Sequence, residues 1–428
     1  MKRIDEFLDK YLSYLAKLII ILTIISTYVT YGIYSMHVFG TITNYIISGL
    51  AIIYFVGFVI ARRKNINLKD KYLLLIILFL LCNVLTIIMN PGKAHNFKIL
   101  VLTAIQWIIL FMFVKDNKKF TYRIMDMFNY GTFLATTISL ILFLLNIVVT
   151  NYIERYCGIY QNPNFSSIIA ALSAGISIIL FYMTDSKKKK YFLILNLVLQ
   201  IIFMRISMSR AGSITIFAFI LVFATIYSAL YYKKFLFVFR NIILSIFAFV
   251  LINNYLAINV YQLRDILNFE GSVSDKDAVE RDKENASQSN NYRYMLLTSG
   301  VKAAKDNPII GCGLDDLPRQ VSSKSTETLD GVKGGGVHNS YLQLFVANGL
   351  LGFVTFASLQ VLIIWNLLKR KNAILKLTDK KEIVRISGFI ALYISLLLYG
   401  MFEAQLVLNN SIVTNMFALS AGGLCNDE

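Results

Sequence analysis

Acidic residues, proline, cysteine and histidine are all scarce in this sequence. Only 25 of its 428 residues are Asp or Glu and 16% are charged, well below the quarter or so expected of a soluble domain. The 4 prolines leave long stretches with nothing to break a helix. Cys82, Cys157, Cys312 and Cys425 show no metal-ligand spacing, and the chain holds no Gly-Lys phosphate loop, no HExxH and no CxxC. ATP-driven and zinc-dependent chemistry therefore lose their usual support, and no cofactor or metal is expected. No internal repeat is evident.

What the chain has in excess is apolar surface: 57% of residues are hydrophobic, 14% are aromatic, and the mean hydropathy is +0.61. The apolar residues fall in runs of about 18 to 25, the length that crosses a hydrocarbon core at about 1.5 Å per residue. The reading is an all-α polytopic membrane protein with about twelve transmembrane helices. Spans are expected at Tyr14–Tyr34, Val38–Ile60, Tyr72–Met89, Phe97–Val114, Met127–Thr150, Phe165–Thr184, Tyr191–Met208, Gly212–Tyr232 and Phe235–Ala257, all within residues 1–257. Three more are expected within 338–428, at Ser340–Leu368, Ile383–Phe402 and Ala404–Leu424. One large extracytoplasmic loop, 258–337, separates helices 9 and 10.

A net charge of +17 invites a nucleic-acid reading, but the placement of the charge opposes it. Lysines and arginines crowd into every second gap: Lys2 to Lys10, Arg62 to Lys71, Lys115 to Arg123, Lys187 to Lys190, Lys233 and Lys234, and Lys369 to Lys381. Under the positive-inside rule these gaps are cytoplasmic, as are both termini, in a bacterial cytoplasmic membrane. The first span is too long for a signal peptide and is read as a retained anchor. Cys157 and Cys312 would both face the oxidising side. A disulfide there is one reading, and two small buried thiols is the favoured one.

The chemistry-bearing residues gather in the gaps between the basic ones. The segment Arg155-Tyr-Cys-Gly-Ile-Tyr-Gln-Asn162-Pro-Asn164 leads into one span, and Arg205-Ile-Ser-Met-Ser-Arg210-Ala-Gly joins two others. In the long loop, the part before Asn291 is polar and weakly periodic. Arg293, Leu296, Leu297, Gly300, Val301 and Ala304 then recur at helical spacing, predicting a short amphipathic helix near 291–306 that Asn307-Pro308 ends. A Gly334-Gly335-Gly336 run precedes His338-Asn339 at the start of the tenth span, and Gly349-Leu350-Leu351-Gly352 follows. Arginine at a membrane edge costs several kcal/mol, so Arg155, Arg205, Arg210 and Arg293 are candidates by default. Arg240, at the opposite end of its span, reads as a snorkelling topology residue. Four guanidiniums near helix N-termini would suit a phosphate or diphosphate. Against each stands a plainer reading, a snorkelling arginine or a hydrogen-bonded interfacial histidine; imidazole, however, is the side chain whose charge changes near neutral pH.

These motifs, taken in order, resemble the O-antigen ligase and polymerase superfamily. The resemblance rests on Arg155…Gly158…Asn162-Pro-Asn164, Ser207-Met-Ser-Arg210-Ala-Gly, Arg293 followed by Pro308-Ile-Ile-Gly-Cys-Gly313, and His338-Asn-x9-Gly349-x-x-Gly352. It covers about Tyr152 to Gly352. It implies an enzyme that moves a glycan from undecaprenyl diphosphate to a hydroxyl acceptor on the outer face, without metal and with inversion. By the same resemblance Arg155, Arg210 and Arg293 would contact the diphosphate and His338 the acceptor. Arg205 is added from its membrane position, and Asn162, Asn164 and Asn339 are expected to bind substrate. No carboxylate pair is visible beside the motifs to serve a double displacement.

Among subclasses the polymerase of surface polysaccharide, O-antigen or capsule, is preferred. The grounds are the lack of an appended soluble domain and an Ile, Phe, Lys and Asn bias that is an association only. The alternatives are a ligase acting on lipid A core or another acceptor, then a protein glycosyltransferase, and, from another class, a lipid-linked glycan flippase. Expected partners are the lipid-linked donor, the glycan acceptor, membrane lipid and a chain-length regulator, with no nucleic acid.

Overall fold

The computed structural model describes residues 2–32, 37–61, 70–90, 93–145, 147, 149, 156–251, 292–325 and 336–425. The helices in order are α1 (Lys2–Gly32), α2 (His37–Ala61), α3 (Lys71–Met89), α4 (Lys93–Ala104), α5 (Met112–Asp116), α6 (Lys118–Leu144), α7 (Pro163–Met183), α8 (Lys187–Ile206), α9 (Arg210–Tyr231) and α10 (Phe235–Leu251). A π-helical stretch, Ile105–Phe111, joins α4 to α5. Then come α11 (292–304), α12 (Leu317–Ser322), α13 (Ser340–Lys369), α14 (Lys371–Leu375), α15 (Lys380–Tyr399) and α16 (Ile412–Leu424).

The protein is an all-α, multi-pass membrane protein. Among the described residues eight helices are long and apolar enough to cross a bilayer, and Ile42–Gly57, Phe235–Leu251 and Ile412–Leu424 are apolar but shorter. Expected spans differ from this in three places. α8 opens with four lysines and turns Asn196 and Gln200 into the bundle, so its apolar face is narrow. α6 begins at Lys118, ahead of the expected Met127, and ends at Leu144, while the expected end at Thr150 lies outside the described residues. The expected span Ala404–Leu424 is helical only from Ile412; before it the chain is irregular and buried.

Side-chain caps set many of the helix starts. Asp70, Asn162, Ser186, Asn339, Asp379 and Ser411 each accept a hydrogen bond from the first turn of the helix they precede, supplying partners for N–H groups that a helix cannot pair itself. Within the bundle, polar side chains replace much of the hydrophobic drive that lipid removes. Asn129 donates to Ser177 at 2.9 Å, Asn196 to Ser173 and Ser177, Gln200 to Asn196, and Thr136 to Gln200, stitching α6, α7 and α8 together. Large apolar side chains such as Phe235, Tyr191 and Val361 face outward, where lipid would meet them.

Two irregularities shape the end of the bundle that carries the motifs. First, α13 is broken at Gly349, which has φ 62° and ψ −164°. The segment Pro308–Gly313 lies along the break. Leu350 N and Leu351 N donate to the carbonyls of Pro308 and Ile309, while Cys312 N and Gly313 N donate to those of Val346 and Ala347. α3 holds the same segment from the other side: Thr86 Oγ1 donates to the Ile310 carbonyl, Asn90 Nδ2 to that of Gly311, and Asn83 accepts from Asn348. A Cβ at Gly311 would overlap the Ala347 carbonyl, and one at Gly349 would overlap that of Ile309. Gly311 and Gly349, one from each motif, thus permit backbone to meet backbone.

Second, the irregular chain between α15 and α16 is fastened by side chains. Ser340 Oγ donates to the Glu403 carbonyl at 2.6 Å and accepts from Leu406 N at 3.0 Å. Gln343 donates to the Ala404 carbonyl, Gln106 to that of Asn409, and Ser411 and Thr414 to that of Gln405. Non-helical backbone is tolerable at such depth only where protein groups satisfy it, as they do here.

Candidate functional site

The N-termini of α7, α9 and α13 and the C-terminal exits of α8 and α15 come to the same end of the bundle, and the site is built where they meet. Glu403 is its centre. The residue lies just past α15, its backbone N–H bonded to the Tyr399 carbonyl at 3.1 Å and its own carbonyl held by Ser340. Its side chain is 4% exposed, yet it is fully engaged. Oε1 accepts from Arg293 Nη2 at 3.1 Å and from Asn164 Nδ2 at 3.0 Å, and Oε2 lies 3.0 Å from His338 Nδ1.

Arg293, in the first turn of α11, and His338, just before α13, are 32% and 21% exposed. The acid is therefore buried beneath two nitrogen-bearing groups that still reach the surface. A carboxylate paired with a guanidinium can only accept, so the proton on His338 belongs on Nδ1 and the lone pair on Nε2. His338 adopts φ 50°, and Met208, in the turn between α8 and α9, adopts φ 51°. Left-handed backbone at non-glycine residues is a cost that functional sites often carry.

The remaining expected site residues take different places. Asn164 bridges, giving its amide N–H to Glu403 and accepting from Ser209 Oγ at 3.2 Å. Arg210, next to Ser209, is exposed at the first position of α9. Arg205 is half-buried in the last turn of α8, with Nη1 3.5 Å from Ser213 Oγ. Asn162 and Asn339 use their amide oxygens as helix caps, and Asn339 also donates to the Met401 carbonyl. Arg155 lies outside the described residues, as do Gly334 and Gly335. None of the four cysteines is joined in a disulfide. Burial pushes the Cys312 thiol up to about 12, with the nearby Asp316 carboxylate adding to the effect. Among the described residues no cluster of His, Cys, Asp or Glu could hold a metal ion.

Sequence reasoning missed Glu403, which fell between two expected spans. A signal was available: it is the only acidic residue between Ile383 and Cys425, and an isolated acid among apolar residues deserves the same suspicion as an isolated arginine.

Residues 195–357 match the family model described as O-Antigen ligase. The matched stretch holds Arg205, Arg210, Arg293, His338 and Asn339, together with the paired segments Pro308–Gly313 and Gly349–Gly352; Asn164 and Glu403 stand outside it. No match is found among individual curated proteins. Over that part of its length, the chain is homologous to the O-antigen ligase and Wzy-type polymerase family.

Proposed function

We propose that the protein is a membrane glycan transferase that moves an oligosaccharide from a polyprenyl-diphosphate carrier to a hydroxyl acceptor, with ligase-type transfer as the leading reading. The observation that carries it is the Glu403 carboxylate, buried and shared between Arg293 and His338. Such an arrangement fixes an imidazole as a base and sets a guanidinium beside it. The matched family supports a lipid-linked glycan as the donor.

In the reaction, the acceptor oxygen attacks the anomeric carbon while its proton passes to His338 Nε2. Glu403 holds the ring through Nδ1–H and balances the imidazolium that forms, the division of labour found in carboxylate–histidine pairs. The bond between the anomeric carbon and the diphosphate oxygen breaks, and its electron pair leaves with the diphosphate. Arg293 and Arg210 neutralise that developing charge, and solvent later takes the proton from His338. One displacement inverts the anomeric centre. Glu403 is a poor nucleophile for a double displacement, because both its oxygens are occupied and its side chain is 4% exposed. The alternating lysine-rich gaps support placing the site on the outer face of the cytoplasmic membrane.

Ligase and polymerase share this chemistry and differ in the acceptor. The description of the matched family favours the ligase, whereas the polymerase rests on compositional association. The test is to size the lipid-linked glycans in cells carrying His338→Ala at normal membrane abundance. Long lipid-linked polymer with no onward transfer is expected. Single repeat units without polymer would make the enzyme a polymerase, and an unchanged profile would sink the transferase reading in favour of transport.

A further inference from the structure

Resting on the transferase reading, we propose that Asn164 is a positioning residue that ties the His338–Glu403 pair to the start of α9, in place of the substrate contact its sequence position suggested. Its amide is oriented from both ends. Glu403 Oε1 can only accept, so Nδ2 faces it at 3.0 Å, and Oδ1 receives the Ser209 hydroxyl at 3.2 Å.

Ser209, like Asn117 and Asp316, leaves its own helix uncapped, and where its hydroxyl goes instead points to this role. It occupies the N-cap position of α9, where a serine oxygen ordinarily accepts from the first turn, yet its side chain makes no cap bond. Asn162, Ser186, Asn339 and Ser411 all cap their own helices. The Ser209 hydroxyl, 2% exposed at the residue level, is directed sideways to Asn164 instead. The residue before it has left-handed backbone and the residue after it is Arg210. One hydrogen-bonded chain, Ser209 to Asn164 to Glu403 to His338, therefore joins the turn carrying a diphosphate arginine to the acceptor base.

The need for this tie follows from how Glu403 Oε1 is shared. Arg293 and Asn164 both donate to it. A donor diphosphate competes for the Arg293 guanidinium, since phosphate oxygens and a carboxylate are alternative partners for the same N–H groups. As Arg293 turns to the phosphate, Asn164 stays on Oε1 and keeps Oε2 aimed at His338 Nδ1.

The experiment uses the full-length protein reconstituted in lipid with a polyprenyl-diphosphate oligosaccharide donor, and compares initial rates of wild type, Asn164→Ala, Ser209→Ala, Ser209→Thr and the Asn164→Ala/Ser209→Ala double variant. The expected result is a kcat lowered roughly tenfold or more in Asn164→Ala, the size of a lost hydrogen bond to a charged group. Donor KM should stay within about twofold. Ser209→Ala should show the same signature more weakly, Ser209→Thr should restore activity, and the double variant should be no slower than Asn164→Ala, because residues in one chain do not add. A donor KM that rises while kcat holds, or a double variant whose losses multiply, would overturn the proposal in favour of direct substrate contact. If Asn164→Ala fails to accumulate, the Ser209→Ala and Ser209→Thr pair decides alone: equal rates in both overturn it. Wild-type protein inactive on the donor would count against the transferase reading, whereas active wild type with an unaffected Asn164→Ala would count against this inference only.

Discussion

At the residue scale, the site turns on Glu403, a carboxylate 4% exposed whose partners, Arg293, Asn164 and His338, come from three separate stretches of chain. Replacing it with glutamine keeps the shape and removes the charge that holds the imidazole in one orientation. Glu403→Gln is expected to lower transfer on the order of a hundredfold or more while leaving membrane abundance near wild type; activity within a few-fold of wild type in the product assay would remove Glu403 from the machinery. The arginine and histidine motifs were readable because charge is rare in an apolar sequence. Glu403 carried the same rarity but stood outside every motif, and nothing in one dimension placed it beside His338, which lies 65 positions away. Cys312 offers a second residue-level check. With burial holding its thiol near 12, the reactive thiolate is a minute fraction at neutral pH. Iodoacetamide at pH 7.5 should leave Cys312 unmodified by mass spectrometry in the folded protein and modify it after denaturation.

At the element scale, the glycine motifs are explained by packing alone. Gly349 holds φ 62° and ψ −164°, a region only glycine occupies without cost, and a side chain there would strike the Ile309 carbonyl. Gly349→Ala should destabilise the protein by about 1–3 kcal/mol from backbone strain alone, and by more from the overlap. The readout is a lowered Tm in detergent with reduced membrane abundance; a Tm equal to wild type would mean that the break can relax. Sequence periodicity located α7, α9 and α15 because long apolar runs need no partner to be recognised. It failed at 404–411, where Leu406, Val407 and Leu408 carry on the apolar pattern but Gln405, Asn409, Asn410 and Ser411 interrupt it, and the backbone takes its hydrogen bonds from Ser340, Gln343, Gln106 and Ser411. A short mixed stretch next to an apolar helix is read as part of that helix until the side chains that satisfy its backbone are in place.

At the scale of the whole molecule, charge and geometry agree on two unlike ends. The end opposite the site is laced by ion pairs: Lys115 with Asp70, Lys189 with Asp126, Lys118 with Glu382 and Lys381 with Asp185. Beside Lys381, the Asp185 carboxyl is held below its usual range. If this end is cytoplasmic, as the positive-inside rule requires, single cysteines at two exposed lysines will report it. A membrane-impermeant maleimide added to intact spheroplasts should label Lys302→Cys in α11 and spare Lys188→Cys in α8, with Lys188→Cys labelled only after permeabilisation. Labelling of Lys188→Cys with Lys302→Cys spared would invert the proposed topology, and labelling of both from outside would break it.

The seam between Pro308–Gly313 and the break in α13 also bears on how such enzymes can be recombined. Specificity for a new glycan is an engineering goal that tempts one to exchange the segment before α13 between relatives as though it were a detachable cap. Here that segment supplies the carbonyls of Pro308 and Ile309 to Leu350 and Leu351, and draws those of Val346 and Ala347 for itself. A chimera cut between residues 313 and 346 would join two half-seams from different parents. Grafts that carry 308–352 as one cassette, with the matching face of α3, keep the seam whole.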